Sequence, residues 1–207
     1  MSRARVGVLI SGRGSDALAL IHAAEGPDYP AEIALVLSNR PEAPGLAKAI
    51  DAGVMALAVD NKPFGPDREE HERAIDAVLR EAGVEFVVLA GYMRILTPFF
   101  VGAWAGRMIN MHPSLLPAFP GLHPHRQALA AGVKLHGCSV HWVTGSVDAG
   151  PIIGQAAVPV LPDDDEESLA ARVLAVEHRL FPACLALAVT GQARPTAADQ
   201  VLANPRL

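Results

Sequence analysis

Asn110 and His112 are the pair of side chains best suited to do chemistry in this sequence. They follow an apolar run that ends at Ile109, and residues two apart on a strand point to the same side. Histidine can transfer protons near neutral pH, and an amide beside it can hydrogen-bond a developing oxyanion. The pair therefore predicts a proton-handling site at a strand end. The alternative is a structural histidine that is buried in the core with its hydrogen bonds satisfied.

A carboxylate, Asp148, lies in the glycine- and proline-containing segment 144–151. Carboxylates commonly orient catalytic histidines and stabilise their protonated form, which makes Asp148 a candidate partner for His112. In a loop, however, an aspartate is often only a solvated turn residue. Spacing alone does not show that the two side chains meet, and both interpretations stay open.

The histidines between these residues raise the question of a metal site; they are His123, His125, His136 and His141. No pair has the i, i+4 helical spacing with an intervening glutamate, and no cysteine joins them. His136 and His141 would point to opposite faces of an unbroken strand. We therefore predict no metal.

A second candidate site is the glycine loop 12–17, which lies between a predicted strand and a predicted helix. Small residues let the backbone approach an anion, and a helix N-terminus offers N–H donors. The second predicted strand ends without the acidic residue of a dinucleotide site, and the loop lacks the lysine of a nucleoside triphosphate loop. A single phosphate fits best. A plain turn with Ser15 or Asp16 as the helix N-cap is the alternative.

A third candidate is the segment 91–96, at the carboxyl end of the fourth predicted strand. In an open parallel sheet, ligands bind at the carboxyl ends of the strands. Met93, Ile95 and Leu96 could line an apolar slot for a flat ring, and backbone amides of the segment could hydrogen-bond the edge of that ring. Hydrophobic residues that simply continue into the next helix would give the same pattern.

The elements that must position these residues alternate between strand and helix. Predicted strands cover 6–10, 33–37, 54–59 and 86–90, and predicted helices lie near 17–21, 43–52 and 67–82. This alternation predicts an α/β fold, a Rossmann-like, doubly wound and mainly parallel sheet with helices on both faces. Later strands near 140–142 and 152–160 suggest an antiparallel hairpin. A closing helix over 166–189 should be kinked or split at Pro182.

Length, composition and charge indicate the general class of the protein. The chain has 207 residues, 51% hydrophobic and 19% charged, with a formal net charge of -5, which favours a packed protein. We expect one domain over 1–191 and a tail over 192–207, with neither nucleic acid nor membrane as a partner. The apolar run near the N-terminus is too short for a signal peptide, so we expect a cytoplasmic protein. Cys138 and Cys184 are expected to be buried, reduced thiols.

Five motifs occur together along the chain. They are Ile10-Ser-Gly-Arg-Gly-Ser, Leu89-Ala-Gly-Tyr-Met-Arg-Ile-Leu, Asn110-Met-His-Pro-Ser-Leu-Leu-Pro, Phe119-Pro-Gly-Leu-His and Asp148-Ala-Gly-Pro-Ile. In this order they resemble the glycinamide ribonucleotide formyltransferases, a folate-dependent family, as far as about Gln192. The resemblance implies formyl transfer from 10-formyltetrahydrofolate, as co-substrate, to the primary amine of phosphoribosylglycinamide in purine synthesis, without a metal.

The resemblance also implies roles for individual residues. The catalytic residues would be Asn110, His112 and Asp148. The phosphoribosylglycinamide site would contain Gly12, Arg13, Gly14, Ser15, Asp16 and Glu177. The folate site would contain Arg68, Met93, Arg94, Ile95, Leu96, Thr144, Gly145, Ser146 and Val147. The family usually has asparagine where this chain has Asp16, and a carboxylate beside a phosphate would repel it by about 1 kcal/mol or more.

Related enzymes share the catalytic trio, so a formyltetrahydrofolate hydrolase or a sugar-nucleotide formyltransferase is the alternative function. A nicotinamide-dependent reductase or a nucleotide-binding module is a rival from another class. The missing acid after the second strand disfavours the reductase, and the histidine-rich segment has no purpose in a binding module. We expect small-molecule substrates and a monomer or homodimer.

Overall fold

The computed structural model describes residues 3–195, in which strands and helices alternate. In chain order the elements are β1 (Ala4–Ile10), α1 (Ser15–Ala24), β2 (Ala31–Ser38), α2 (Pro44–Asp51), β3 (Ala56–Ala58), a 3-10 turn (Lys62–Phe64), α3 (Arg68–Glu81), β4 (Phe86–Leu89), α4 (Pro98–Ala103), β5 (Met108–His112), α5 (Pro124–Ala131), β6 (Leu135–Trp142), β7 (Ile152–Pro159) and α6 (Glu166–Val189).

The strands form a seven-stranded sheet in the order β3-β2-β1-β4-β5-β6-β7. β1 runs parallel to β2 and β4, and β2 runs parallel to β3, whereas β6 and β7 are antiparallel. Strands such as β1 and β4 are short and almost entirely apolar, as expected where a parallel sheet is covered on both faces. The predictions of a mainly parallel α/β sheet and of a late antiparallel hairpin are confirmed.

The chain divides into two compact units, with the boundary between Ile109 and Asn110. Unit 1 contains β1 to β4 and the helices between them, and unit 2 contains β6, β7, α5 and α6. The division into a domain of 1–191 and a tail of 192–207 stays a prediction. Most of that tail, residues 196–207, lies outside the described residues.

Three local predictions were wrong. The third strand is shorter than 54–59, because the N–H of Val54 closes the turn after α2 by donating to Ala49. Helix α5 was missed because its eight residues sit among prolines and glycines; it begins with Pro124, at a position where proline is tolerated. Helix α6 is continuous from Glu166 to Val189, so the predicted split at Pro182 is wrong, while a kink there stays a prediction. One proline removes a single backbone donor, and the buried residues around it, such as Phe181 and Cys184, hold the helix by packing.

The buried positions agree with the sequence pattern. Cys138 and Cys184 are buried thiols, as predicted, and burial raises the pKa of Cys184 to about 12. Both lie in the hydrophobic interior of unit 2, on β6 and α6 respectively. Among residues 3–195, no helix has the length and apolar character that crossing a membrane requires.

The β6–β7 hairpin closes tightly at Gly150. A side chain there would place Cβ 1.7 Å from the carbonyl oxygen of Trp142, a backbone atom that cannot move aside. We expect Gly150→Ala to lower the free energy of unfolding by about 3 kcal/mol, as for an overpacked interior site. Urea denaturation would measure this loss. Gly145→Ala, in the same hairpin loop, is the control, because its Cβ would meet nothing within 4 Å. Equal stability of the two variants would contradict the prediction.

Candidate active site

Asn110 and His112 lie on β5, and His112 is its last residue. The ring of His112 is buried, with 6% of the residue exposed. Its Nε2 lies 3.0 Å from the carbonyl oxygen of Phe119, in the loop that follows the strand. Asn110 uses its side-chain Nδ2 to contact Nε2 of His141 at 3.1 Å.

Asp148 lies against both histidines. Its Oδ2 is 3.4 Å from Nδ1 of His112, and its Oδ1 is 3.7 Å from Nε2 of His141. The backbone N–H of Gly121 also donates to Oδ2, at 2.9 Å. Asn110, His112, His141 and Asp148 therefore form one cluster within unit 2. The structure thus brings together the three residues that the sequence proposed as catalytic, including the aspartate whose proximity was open.

The backbone around this cluster is locally strained. Phe119, His123 and Asp148 have positive φ angles of 55°, 57° and 52°, which are uncommon outside glycine. Such conformations persist where the surrounding structure determines them, and they concentrate at functional sites. At Phe119 the strained residue presents the carbonyl that contacts His112, and at Asp148 it presents the carboxylate.

The contacts of His112 suit a protonated ring. Both ring nitrogens face oxygen atoms, the carbonyl of Phe119 on one side and the carboxylate of Asp148 on the other. An imidazolium has an N–H for each of these acceptors, whereas neutral imidazole has only one. The cluster can therefore hold a positive charge on His112 in direct contact with Asp148.

The pKa of the Asp148 carboxyl lies below its usual value. Burial acts to raise the pKa of its carboxyl, but its interactions with His141, the Gly121 N–H and the charge of His112 outweigh burial and lower the pKa. A carboxylate that stays charged can stabilise an adjacent imidazolium at neutral pH.

His141 belongs to the cluster, although the sequence suggested it only as a possible metal ligand. Its Nδ1 lies 2.9 Å from the carbonyl of Trp142, which leaves Nε2 to face Asn110 and Asp148. The predicted hairpin could have identified it from the sequence. The loop that joins β6 to β7 returns the chain, so Asp148 lies close to the end of β6, where His141 is.

His125 and His136 form a separate pair, with Nδ1 of the first 3.1 Å from Nε2 of the second. Burial lowers the pKa of both rings, that of His136 to about 4, which favours the neutral form. Within residues 3–195, no group of three or more histidine, cysteine or acidic side chains is arranged to hold a metal ion. The expectation that no metal is needed stays a prediction.

In unit 1, the glycine loop is packed against the start of α2. The N–H of Gly45 donates to the carbonyl of Gly12 at 3.0 Å, and Nζ of Lys48 donates to the carbonyl of Arg13 at 2.9 Å. Because C=O and N–H point in opposite directions across a trans peptide, the N–H groups of Arg13 and Gly14 are turned away from α2. Lys48 was not found from the sequence, since nothing in the local pattern of α2 links it to the glycine loop.

Gly14 is where this packing is closest. It has a φ of 66°, and a Cβ there would lie 2.6 Å from the Cα of Gly45. Gly14 is also the N-cap of α1, without a side-chain cap bond, so the alternative with Ser15 or Asp16 as the cap was wrong. Both residues are already in the first turn of the helix, because the left-handed glycine turns the chain directly into it.

The remaining predicted residues fall into separate groups. In unit 1, Nη1 of Arg68 donates to the carbonyl of Ile95 at 3.5 Å, and Met93 and Ile95 are exposed. In unit 2, residues 144–147 form the exposed β6–β7 loop, and Glu177 is buried on α6.

Comparison with known proteins agrees with this arrangement. Residues 4–185 match the family model described as "Formyl transferase". Phosphoribosylglycinamide formyltransferase of Escherichia coli K12 is 45% identical over 175 residues, which are 84% of this chain and 82% of that protein. The crystal structure of the Brucella melitensis protein of the same name is 52% identical, with a TM-score of 0.85 over 93% of this chain and 97% of that one.

A longer relative is the trifunctional purine biosynthetic protein adenosine-3 of Drosophila melanogaster, which is 49% identical over 92% of this chain. The chain spans only 14% of the length of that protein. The predicted family and the predicted formyltransferase fold are confirmed by these matches. This chain belongs to the formyl transferase family.

Proposed function

We propose that this protein transfers the formyl group of 10-formyltetrahydrofolate to the primary amine of phosphoribosylglycinamide, a step of purine synthesis. The observation that carries the proposal is the cluster of Asn110, His112 and Asp148 in a chain that is similar to phosphoribosylglycinamide formyltransferases along nearly its whole length. The cluster supplies the groups that acyl transfer to an amine requires.

The reaction forms one bond and breaks another. The substrate amine attacks the formyl carbon, and the carbonyl oxygen becomes an oxyanion in the tetrahedral intermediate. The bond between that carbon and N10 of the folate then breaks, while the proton lost by the amine is passed to N10. The enzyme must therefore stabilise an oxyanion and move one proton.

We propose that Asn110 and His112 perform these tasks. The side-chain amide of Asn110 has two N–H groups; one is directed at His141, and the other is left for the oxyanion. His112 would donate to the same oxygen after exchanging its contact with Phe119 for one with substrate. The carboxylate of Asp148 would stabilise a positive charge that develops on His112, and His141 fixes the orientation of the amide of Asn110.

The substrate sites follow from the same resemblance. The N–H groups of Arg13 and Gly14, which are turned away from α2, and the start of α1 offer donors for the single phosphate, and Lys48 holds the opposite side of the loop through the carbonyl of Arg13. Glu177 is proposed to contact the same substrate. The exposed side chains of Met93 and Ile95, with Arg68 beside them, are proposed to contact the folate, as are residues 144–147.

The position of Asp16 leads to a prediction about the affinity of the proposed phosphate site. It is the second residue of α1, where a carboxylate would repel a bound phosphate. We expect Asp16→Asn to lower KM for phosphoribosylglycinamide about fivefold, which corresponds to about 1 kcal/mol. KM for 10-formyltetrahydrofolate should not change. Asp28→Asn, at an exposed position after α1, is the control. An unchanged or higher KM in Asp16→Asn would contradict the prediction.

The proposal is tested by offering the protein 10-formyltetrahydrofolate together with different acceptors. We expect tetrahydrofolate to be released rapidly only with phosphoribosylglycinamide. Equal release with water alone would indicate a hydrolase, and a preference for an amino sugar nucleotide would indicate a sugar-nucleotide formyltransferase. Either result would overturn the proposed acceptor. We further propose that the protein acts in the cytoplasm, as a monomer or homodimer.

A further inference from the structure

Ser11 joins two segments of unit 1 that the proposed function assigns to different substrates. Ser11 immediately precedes the glycine loop, and it is buried, with 4% exposed. Its N–H donates to the carbonyl of Gly91 at 3.1 Å, and its Oγ accepts the N–H of Met93 at 2.8 Å. One serine thus holds both ends of the turn at residues 91–93 by its backbone and by its side chain.

The hydroxyl of Ser11 has a single arrangement that satisfies these contacts. Its one hydrogen is donated to Oδ1 of Asn39, 2.6 Å away at the end of β2, which leaves its lone pairs for Met93. Asn39 is itself buried, with 3% exposed, so water does not readily replace this bond. The orientation of the hydroxyl is therefore determined by the protein.

The turn that Ser11 holds presents side chains to solvent. Gly91 has a φ of 74°, after which Met93 and Ile95 are 64% and 63% exposed. Large apolar side chains held out on a rigid turn are suited to contact a flat apolar ring. On the other side of Ser11, the next residue is Gly12, whose carbonyl is tied to α2. A displacement of Ser11 would therefore move the turn and the glycine loop together.

From these contacts we infer that Ser11 is a positioning residue shared by the two substrate sites of unit 1, the phosphate loop 12–16 and the folate segment 93–96. The inference rests on the proposed function, because that function assigns the two segments to ligands. Ser11 itself contacts neither substrate. Its hydroxyl sets the position of the Met93 N–H, and its backbone sets the start of the glycine loop.

The experiment compares steady-state kinetics of Ser11→Ala with those of the wild-type protein, varying each substrate in turn. Removing the hydroxyl leaves the N–H of Met93 and Oδ1 of Asn39 without a partner, so Ser11 is no longer fixed against β2 and the turn, and Gly12, which follows it, shifts with it. We therefore expect KM for both substrates to rise about tenfold. The value of kcat should change less than threefold, because no group that touches the reacting atoms is altered. Thermal unfolding of each variant is measured in parallel.

Ser38→Ala is the matched control. Ser38 is also a buried serine at the end of a neighbouring strand, and its Oγ accepts the N–H of Arg40 at 3.0 Å, but it does not contact the turn at 91–93. We expect this variant to lose stability to a similar extent without a change in either KM. Ser11→Cys is a second variant in case Ser11→Ala does not fold, since a thiol fills the space but hydrogen-bonds weakly.

The outcomes separate the inference from the proposed function. A rise of both KM values in the Ser11 variants, but not in Ser38→Ala, supports the inference. A rise for only one substrate, or the same behaviour in Ser11→Ala and Ser38→Ala, overturns the shared role. No transfer to phosphoribosylglycinamide by the wild-type protein overturns the proposed function, and this inference with it, before any variant is compared.

Discussion

Replacement of His112 by alanine is expected to lower kcat/KM for formyl transfer roughly 10³-fold, the usual contribution of a general acid–base group. The imidazole is the proton-handling group of the cluster, and it lies between the carbonyl of Phe119 and the carboxylate of Asp148. Alanine removes both the proton donor and the positive charge that would stabilise the oxyanion. The measurement is the steady-state rate with both substrates, together with circular dichroism to show that the fold is retained.

His22→Ala is the control for the loss of a histidine. His22 is exposed in the last turn of α1, in unit 1, and is not a member of the cluster. The variant should retain nearly full activity. If His112→Ala were folded and retained more than about a tenth of the wild-type kcat/KM, His112 would not be the acid–base group.

Asp148→Asn is expected to lower kcat roughly 10³-fold while preserving the shape of the side chain. The amide oxygen can still accept the N–H of Gly121, but the charge that stabilises protonated His112 is lost. Hydrogen bonding and the nearby histidines keep the pKa of Asp148 low, so in the wild-type protein this charge persists across the neutral range. The residual rate of the variant should rise towards lower pH, because a higher proton concentration increases the protonated fraction of His112 even without the charge of the carboxylate.

A pH profile separates this role from a structural one. Asp163→Asn, at an exposed position after β7, should have the activity and the pH profile of the wild-type protein. If Asp148→Asn lost activity by the same factor at every pH, Asp148 would act by holding the hairpin loop in place and not by stabilising the charge of His112.

Much of the catalytic cluster could be predicted from local sequence rules. The period of a strand places Asn110 and His112 on one side, and the apolar run before them identifies the strand. The position of Asp148 could not be derived in this way, because it depends on the register of β6 against β7. His141 could not be assigned to the cluster by these local rules either, because its contact with Asn110 joins two different strands, β6 and β5, and a one-residue change of register would have reversed its direction.

The parts that sequence reasoning got wrong depend on tertiary contacts. The cap of α1 is Gly14 and not a polar residue, because the backbone of Gly45 leaves no room for a side chain. Pro182 does not interrupt α6, because packing in the interior outweighs the missing hydrogen bond. Lys48 contacts Arg13 only because α2 packs on the glycine loop, a contact between residues far apart in the chain.

The contact between Gly14 and Gly45 limits how this protein can change over generations. A side chain at either position would meet the main chain of the other. A Cβ on residue 14 would lie 2.6 Å from the Cα of Gly45, and a Cβ on residue 45 would lie 2.9 Å from the Cα of Gly14. Such a clash cannot be relieved by a second mutation to a smaller residue, since glycine is already the smallest. Neither position therefore has a compensating partner, and a lineage that loses one of these glycines can recover the geometry only by reversion.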